Sequence, residues 1–113
     1  MRDGDGESEL LPSEFAVSIH GDGDSTMVEI SGELDLAHSN VVESAIAQAE
    51  TAKGPIVIDL SNLTFVDSVG VAILLMARGR DRHDGAGRLS FIAPTREDVM
   101  LVLVRTGTDT ELF

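Results

Sequence analysis

Three features of the sequence predict a small α/β domain with a mixed β-sheet, helices mainly on one face, and elements in the order β-β-α-β-α-β-α. They are a hairpin signal near the N-terminus, a β-branched run at residues 56–60, and three helical apolar stripes punctuated by Gly and Pro. Helical crossovers between the later strands make those strands parallel, with right-handed connections. The 113 residues, 42% of them apolar, suffice for one domain with one modest core.

Residues 1–14 combine Gly, Ser, Pro and acids with a single apolar pair, Leu10-Leu11, and are expected to form a disordered acidic tail, leaving residues 15–113 as the domain. Asp3-Gly4-Asp5-Gly6 lacks the ligand spacing and closing glutamate of a calcium loop. Phe15, Val17 and Ile19 alternate with Ala16, Ser18 and His20. A turn at Gly21-Asp22-Gly23-Asp24-Ser25 follows, and Met27, Val28 and Ile30 resume as a second strand.

Ser31 to Leu36 leads from that strand towards a helix on which Val42, Ala45, Ile46 and Ala49 fall at i, i+3, i+4 and i+7. Asn40 with Glu43, or Asp35 one turn earlier, is placed to cap it, and Lys53-Gly54-Pro55 stops it. Ile56 to Leu60 then forms a central parallel strand, expected to be covered on both faces and to end at Ser61-Asn62.

A short polar loop leads from this strand to the next helix, with Leu63, Phe65 and Val66 as core anchors. Asp67 stands at the helix N-cap, Ser68 in the first turn, and Val69, Ala72, Ile73 and Met76 recur at helical spacing. Val71, Leu74, Leu75 and Ala77 fill other sides, so burial on more than one side is expected, with only the N-terminus reaching the surface. Arg78, Arg80 and Arg82 mark a solvated helix end, and Gly85-Ala86-Gly87 turns the chain into a strand at Leu89–Ala93. Thr95, with Asp98 three residues on, resembles a capping box for a last helix that buries Val99, Val102 and Leu103 and closes at Gly107. Leu112 and Phe113 are expected to pack back onto the domain as a short edge strand.

The formal charge is −12, concentrated as −11 in residues 1–66 and −1 in residues 67–113. That balance argues against nucleic acid and against unaided binding to an anionic membrane, and favours encounter with a basic protein face. The chain has no Cys, which removes disulfides, thiolate metal sites and thiol nucleophiles and is compatible with a reducing cytosol. The longest apolar run, Val69 to Ala77, is too short to span a bilayer, and a soluble, unexported protein is expected.

Catalytic machinery is not expected. Ser68 and Gly70 match half of a nucleophile elbow, but Val66 stands where that motif needs glycine, and only His38 is a plausible neighbouring base. No metal-binding His-Glu-x-x-His or phosphate-cradling glycine loop is present, so neither metal nor cofactor is expected. Asp67 and Ser68 can act as capping residues alone. The alternative is a phosphorylated Ser68, which adds about −1.5 to −2 charges where first-turn amides tolerate an anion. Such a charge beside Asp67 changes partner docking without refolding the domain.

Leu60-Ser61-Asn62-Leu63-Thr64-Phe65-Val66-Asp67-Ser68-Val69-Gly70-Val71, preceded by Ser31-Gly32-Glu33-Leu34-Asp35, resembles the STAS domain family of bacterial anti-sigma factor antagonists. The resemblance covers residues 15–113, including the closing Val104-Arg105-Thr106-Gly107 segment. It implies a cytoplasmic, non-enzymatic regulator of transcription in a stress response. Unphosphorylated, such a protein binds an anti-sigma factor that is also a serine/threonine kinase; phosphorylation of Ser68 breaks the complex and a separate phosphatase restores it. By position Ser68 matches the phosphoacceptor, Asp67 its preceding carboxylate, Gly70 the glycine of the same loop, and Asp35 an acid of the kinase-binding surface. Val69 belongs to the same partner-binding stretch but stands where many members carry Ser or Thr, so a second hydroxyl is absent. The competing readings are a STAS scaffold in a sensor or lipid-transport complex without a phosphate switch, and a small serine hydrolase.

Overall fold

The computed structural model describes residues 15–84 and 87–113; the expected acidic tail lies outside the described residues. β1 (Ala16–Asp22) and β2 (Ser25–Leu34) form an antiparallel hairpin around Gly23-Asp24, with Asp22 opposite Ser25. Gly23 takes a positive φ of 61°, which glycine adopts without steric cost. A 3-10 turn (Leu36–His38) runs into α1 (Ser39–Glu50), followed by β3 (Ile56–Val66), α2 (Ser68–His83), β4 (Leu89–Ile92), α3 (Glu97–Arg105) and α4 (Asp109–Leu112). The sheet order is β1-β2-β3-β4, and β3 is parallel to both neighbours. This is the expected α/β architecture with one short helix added.

Burial alternates along β2 and β3, so one sheet face lies under the helices while residues such as Glu29, Val57 and Asp59 on the other stay half-buried or exposed. The prediction of helices on one face holds, whereas β3 is not covered on both faces as its apolar run suggested. α1 packs on β1 and β2, α2 on α1, α4 and β3, and α3 on β3. The four predicted residues of α1, Val42, Ala45, Ile46 and Ala49, are all buried. Among the described residues, no helix is long and apolar enough to cross a membrane.

β2 and β3 both outrun their expected ends, and the polar loop before α2 is replaced by strand up to Val66. Their parallel ladder continues because register shifts near Ser31 and Gly32 absorb two extra residues of β3. Ser61 and Asn62, which resemble a strand end in sequence, lie at the first shift. There the Ser61 amide donates to Asp59 Oδ1 at 2.9 Å.

Several apolar side chains face the opposite way from expectation. Leu63 and Val66 are core residues, but Phe65 is 48% exposed, because the second shift turns it off the buried face. The buried side of α2 is Gly70, Val71, Ile73, Leu74 and Ala77, while Ala72 and Met76 face solvent. α2 is therefore covered on one side only. Arg78 is not solvated: it donates to Leu89 O, Glu111 O and Leu112 O at 2.9–3.0 Å, with its guanidinium 5.0 Å from the Phe91 ring centroid. These bonds tie the chain end to α2, so Leu112 is buried in a helical turn instead of an edge strand, and Phe113 stays exposed.

Thr95 does not cap α3, which begins at Glu97. Its hydroxyl donates to Ser61 O at 2.9 Å instead. Asp98 is bound by Arg96, and that hydrogen bond, more than their charge attraction, holds the Asp98 carboxyl below its usual range. Gly107 closes α3 with a φ of 71°, as expected.

At the opposite end of the sheet from the α2 N-terminus, Gly54 has a φ of 87°, and a β-carbon on it would sit 2.0 Å from the carbonyl oxygen of Asp24. A positive φ strains any larger residue, and this neighbour is backbone that cannot swing aside. Gly54→Ala is expected to lower stability by roughly 2–4 kcal/mol, against less than about 0.5 kcal/mol for Gly21→Ala, whose β-carbon position is open. Urea denaturation of the two variants measures the difference.

Candidate functional site

β2 and β3 end side by side, with Leu34 in register with Val66, so Asp35-Leu36 and Asp67-Ser68 leave the sheet together at the carboxyl ends of two parallel strands. The Asp67 amide donates to Leu34 O at 3.2 Å. The Asp67 backbone is extended (φ −109°, ψ −175°), as an N-cap requires, and its Oδ1 accepts from the Gly70 amide at 2.9 Å. Its Oδ2 accepts from the Leu36 amide at 3.1 Å. One carboxylate thus satisfies a first-turn donor of α2 and a donor of the neighbouring 3-10 turn.

Gly70 is buried, and a β-carbon there would lie 2.4 Å from Leu34 O and 2.8 Å from Leu34 Cγ. Glycine therefore lets α2 begin directly on the end of β2, which keeps the two segments adjacent. Val69 is half-buried against the core and contributes no hydroxyl. Ser68, the first helical residue, is exposed, and its side chain makes no hydrogen bond among the described residues. Asp67 performs the capping, so the Ser68 hydroxyl is left to solvent.

Asp35 caps the 3-10 turn instead of α1 itself; Asn40 and Glu43 cap neither. Its Oδ1 lies 3.2 Å from the His38 amide and 2.8 Å from His38 Nδ1. His38 Nδ1 also lies 3.0 Å from Glu33 O, and a carbonyl only accepts, so this nitrogen carries a proton. The His38 ring stacks on Phe15 with centroids 4.1 Å apart. His38 makes no hydrogen bond to Ser68 among the described residues.

The structure thus brings Asp67, Ser68, Val69, Gly70 and Asp35 to one end of the sheet. It adds Leu36, 68% exposed, whose amide is held by Asp67. Alternation along β2 (Val28, Ile30, Leu34) would carry Leu36 into the core, but the chain leaves the strand at Asp35 and turns it outward. Ser68, Ala72 and Met76 form one exposed line along α2 at i, i+4 and i+8. Between Ser31 and Gly70 in the sequence the only Lys or Arg is Lys53.

A family model described as "Mlab, STAS domain" matches residues 17–112, and the chain belongs to the STAS domain family. An anti-sigma factor antagonist from Mycobacterium paratuberculosis is 25% identical with a TM-score of 0.70, covering 90% of this chain and 86% of that one. The antagonist SpoIIAA in its unphosphorylated form is 24% identical with a TM-score of 0.68, covering 87% and 86%; in the phosphorylated form from Bacillus the values are 23%, 0.62, 87% and 89%. SLC26A9 contains a similar fold, at 13% identity and a TM-score of 0.66, covering 80% of this chain but 17% of that one. No curated protein sequence matches significantly.

Asp67→Ala removes acceptors from two amides and is expected to cost about 1–3 kcal/mol. Ser68→Ala removes a side chain with no partner and is expected to stay within about 0.5 kcal/mol of wild type. Urea midpoints of the two variants separate these roles.

Proposed function

We propose that this STAS domain is an anti-sigma factor antagonist switched by one phosphate. With Ser68 bare it binds an anti-sigma factor that is also a serine/threonine kinase; with Ser68 phosphorylated it releases it. The observation that carries this reading is the exposed, unbonded Ser68 hydroxyl on a helix start whose capping is performed by Asp67.

In the forward step Ser68 Oγ forms a bond to the γ-phosphorus of ATP. The bond from that phosphorus to the bridging oxygen breaks, ADP leaves with its electron pair, and the hydroxyl proton passes to a base of the kinase. In the reverse step, catalysed by a separate phosphatase, water attacks the phosphorus and Ser68 Oγ leaves, yielding inorganic phosphate. The domain itself performs neither reaction and acts in the cytoplasm, where ATP is available.

The phosphoryl group is tolerated by the fold because α2 presents its positive end there, worth about 0.3–1 kcal/mol to an anion. It is not tolerated by a close partner contact, because a dianion flanked by Asp67 and near an apolar Leu36 must be stripped of water when the surfaces meet. With Val69 beside Ser68, the reading needs one phosphate only. His38 gives no support to hydrolysis, since it makes no hydrogen bond to Ser68 among the described residues and its ring is stacked on Phe15.

A second reading is a STAS scaffold subunit of a sensor or lipid-transport complex without a phosphate switch. It is favoured by the recurrence of the fold as a minor part of a much longer chain, SLC26A9.

Intact mass and phosphate-affinity gel mobility, after incubation with ATP and a lysate of the source organism, discriminate the two. The switch predicts one added phosphate on wild type and none on Ser68→Ala. An unmodified wild-type protein in a lysate with active kinases, or equal modification of both proteins, would overturn it in favour of the scaffold.

A further inference from the structure

We propose that Asp67 transmits the state of Ser68 to the neighbouring Leu36 turn, so that a phosphate on Ser68 releases the Leu36 amide and shifts an exposed apolar side chain of the partner face. The inference rests on the phosphoserine reading above and names how that site is regulated.

The Asp67 carboxylate spans two segments, with Gly70 N on Oδ1 at 2.9 Å and Leu36 N on Oδ2 at 3.1 Å. These two bonds are not equivalent. The Gly70 bond is part-buried and belongs to a helix start locked onto Leu34, where no β-carbon would fit. The Leu36 bond is exposed and longer, and a freed Leu36 amide is immediately solvated, so it is the cheaper of the two to lose.

A phosphoserine at position 68 places about two negative charges one residue from this carboxylate. Repulsion between like charges drives the carboxylate away from the phosphate. Asp35 Oδ1 is already engaged by both His38 N and His38 Nδ1. Leu36, the first residue of the 3-10 turn and 68% exposed, then loses the acceptor of its amide and is held through its carbonyl, which accepts from Ser39.

Amide hydrogen exchange by NMR tests this without any partner, on the full chain carrying Ser68 or a phosphoserine installed at position 68 during translation. The expected result is a Leu36 amide that exchanges at least about tenfold faster in the phosphorylated protein, the factor implied by losing a hydrogen bond to a charged group, while the Val28 and Ile58 amides remain protected. Asp67→Ala reproduces the fast Leu36 exchange without phosphate. Unchanged Leu36 exchange in the phosphoserine protein overturns the inference. That outcome leaves the phosphate switch itself standing, acting by direct repulsion at the partner surface. Should Asp67→Ala fail to fold, the comparison of serine with phosphoserine decides alone.

Discussion

The parallel pairing of β2 with β3, carried through two register shifts to Leu34 and Val66, is the constraint on which the rest of the domain depends. It delivers two chain segments to one edge of the sheet at the same height. Gly70 then allows α2 to start in contact with Leu34, where any β-carbon would collide. The close approach lets a single carboxylate, Asp67, reach backbone donors on both segments. Without the shifts β3 would be out of step with β2, and the cap and the 3-10 turn would not meet.

The same constraint explains why an exposed serine stands on a rigid platform. Ser68 heads a helix whose buried side, including Ile73, Leu74 and Ala77, is fixed in the core, so the position of its hydroxyl is set by packing, not by its own bonds. A residue with no structural task can change chemistry without unfolding the domain. The uneven charge adds a second condition, since the acidic half of the chain supplies β2, the 3-10 turn and β3. A partner meets acids and exposed apolar side chains together, and its complement is a basic rim around an apolar pocket.

Much of this was legible in the sequence where periodicity has a single interpretation. Val42, Ala45, Ile46 and Ala49 mark one helical stripe between polar positions, and all four are buried. The Gly-Glu-Leu-Asp and Asp-Ser-Val-Gly segments singled out in the sequence meet at one end of the sheet, and Asp67 as N-cap followed from elementary helix chemistry. In α2, by contrast, apolar residues occupy nearly every side of the first turns, so periodicity alone could not choose between the Gly70-Ile73-Leu74-Ala77 face and the one bearing Ala72 and Met76. Phe65 and Ser61-Asn62 were misread for a related reason: a bulge changes the two-residue phase of a strand, and no local residue type announces it. Leu36 was missed because its outward turn depends on Asp67, thirty-one residues away.

The central claim is that one phosphate on Ser68 turns off a protein contact while the fold persists. Its most direct measurement is the affinity of the bare and phosphoserine-68 proteins for the anti-sigma factor that the bare protein binds, by calorimetric titration, with a thermal melt of each form. The account predicts affinity weaker by about 100-fold or more, roughly 2.7 kcal/mol, with melting temperatures that remain close. Equal affinity of two folded forms would contradict it.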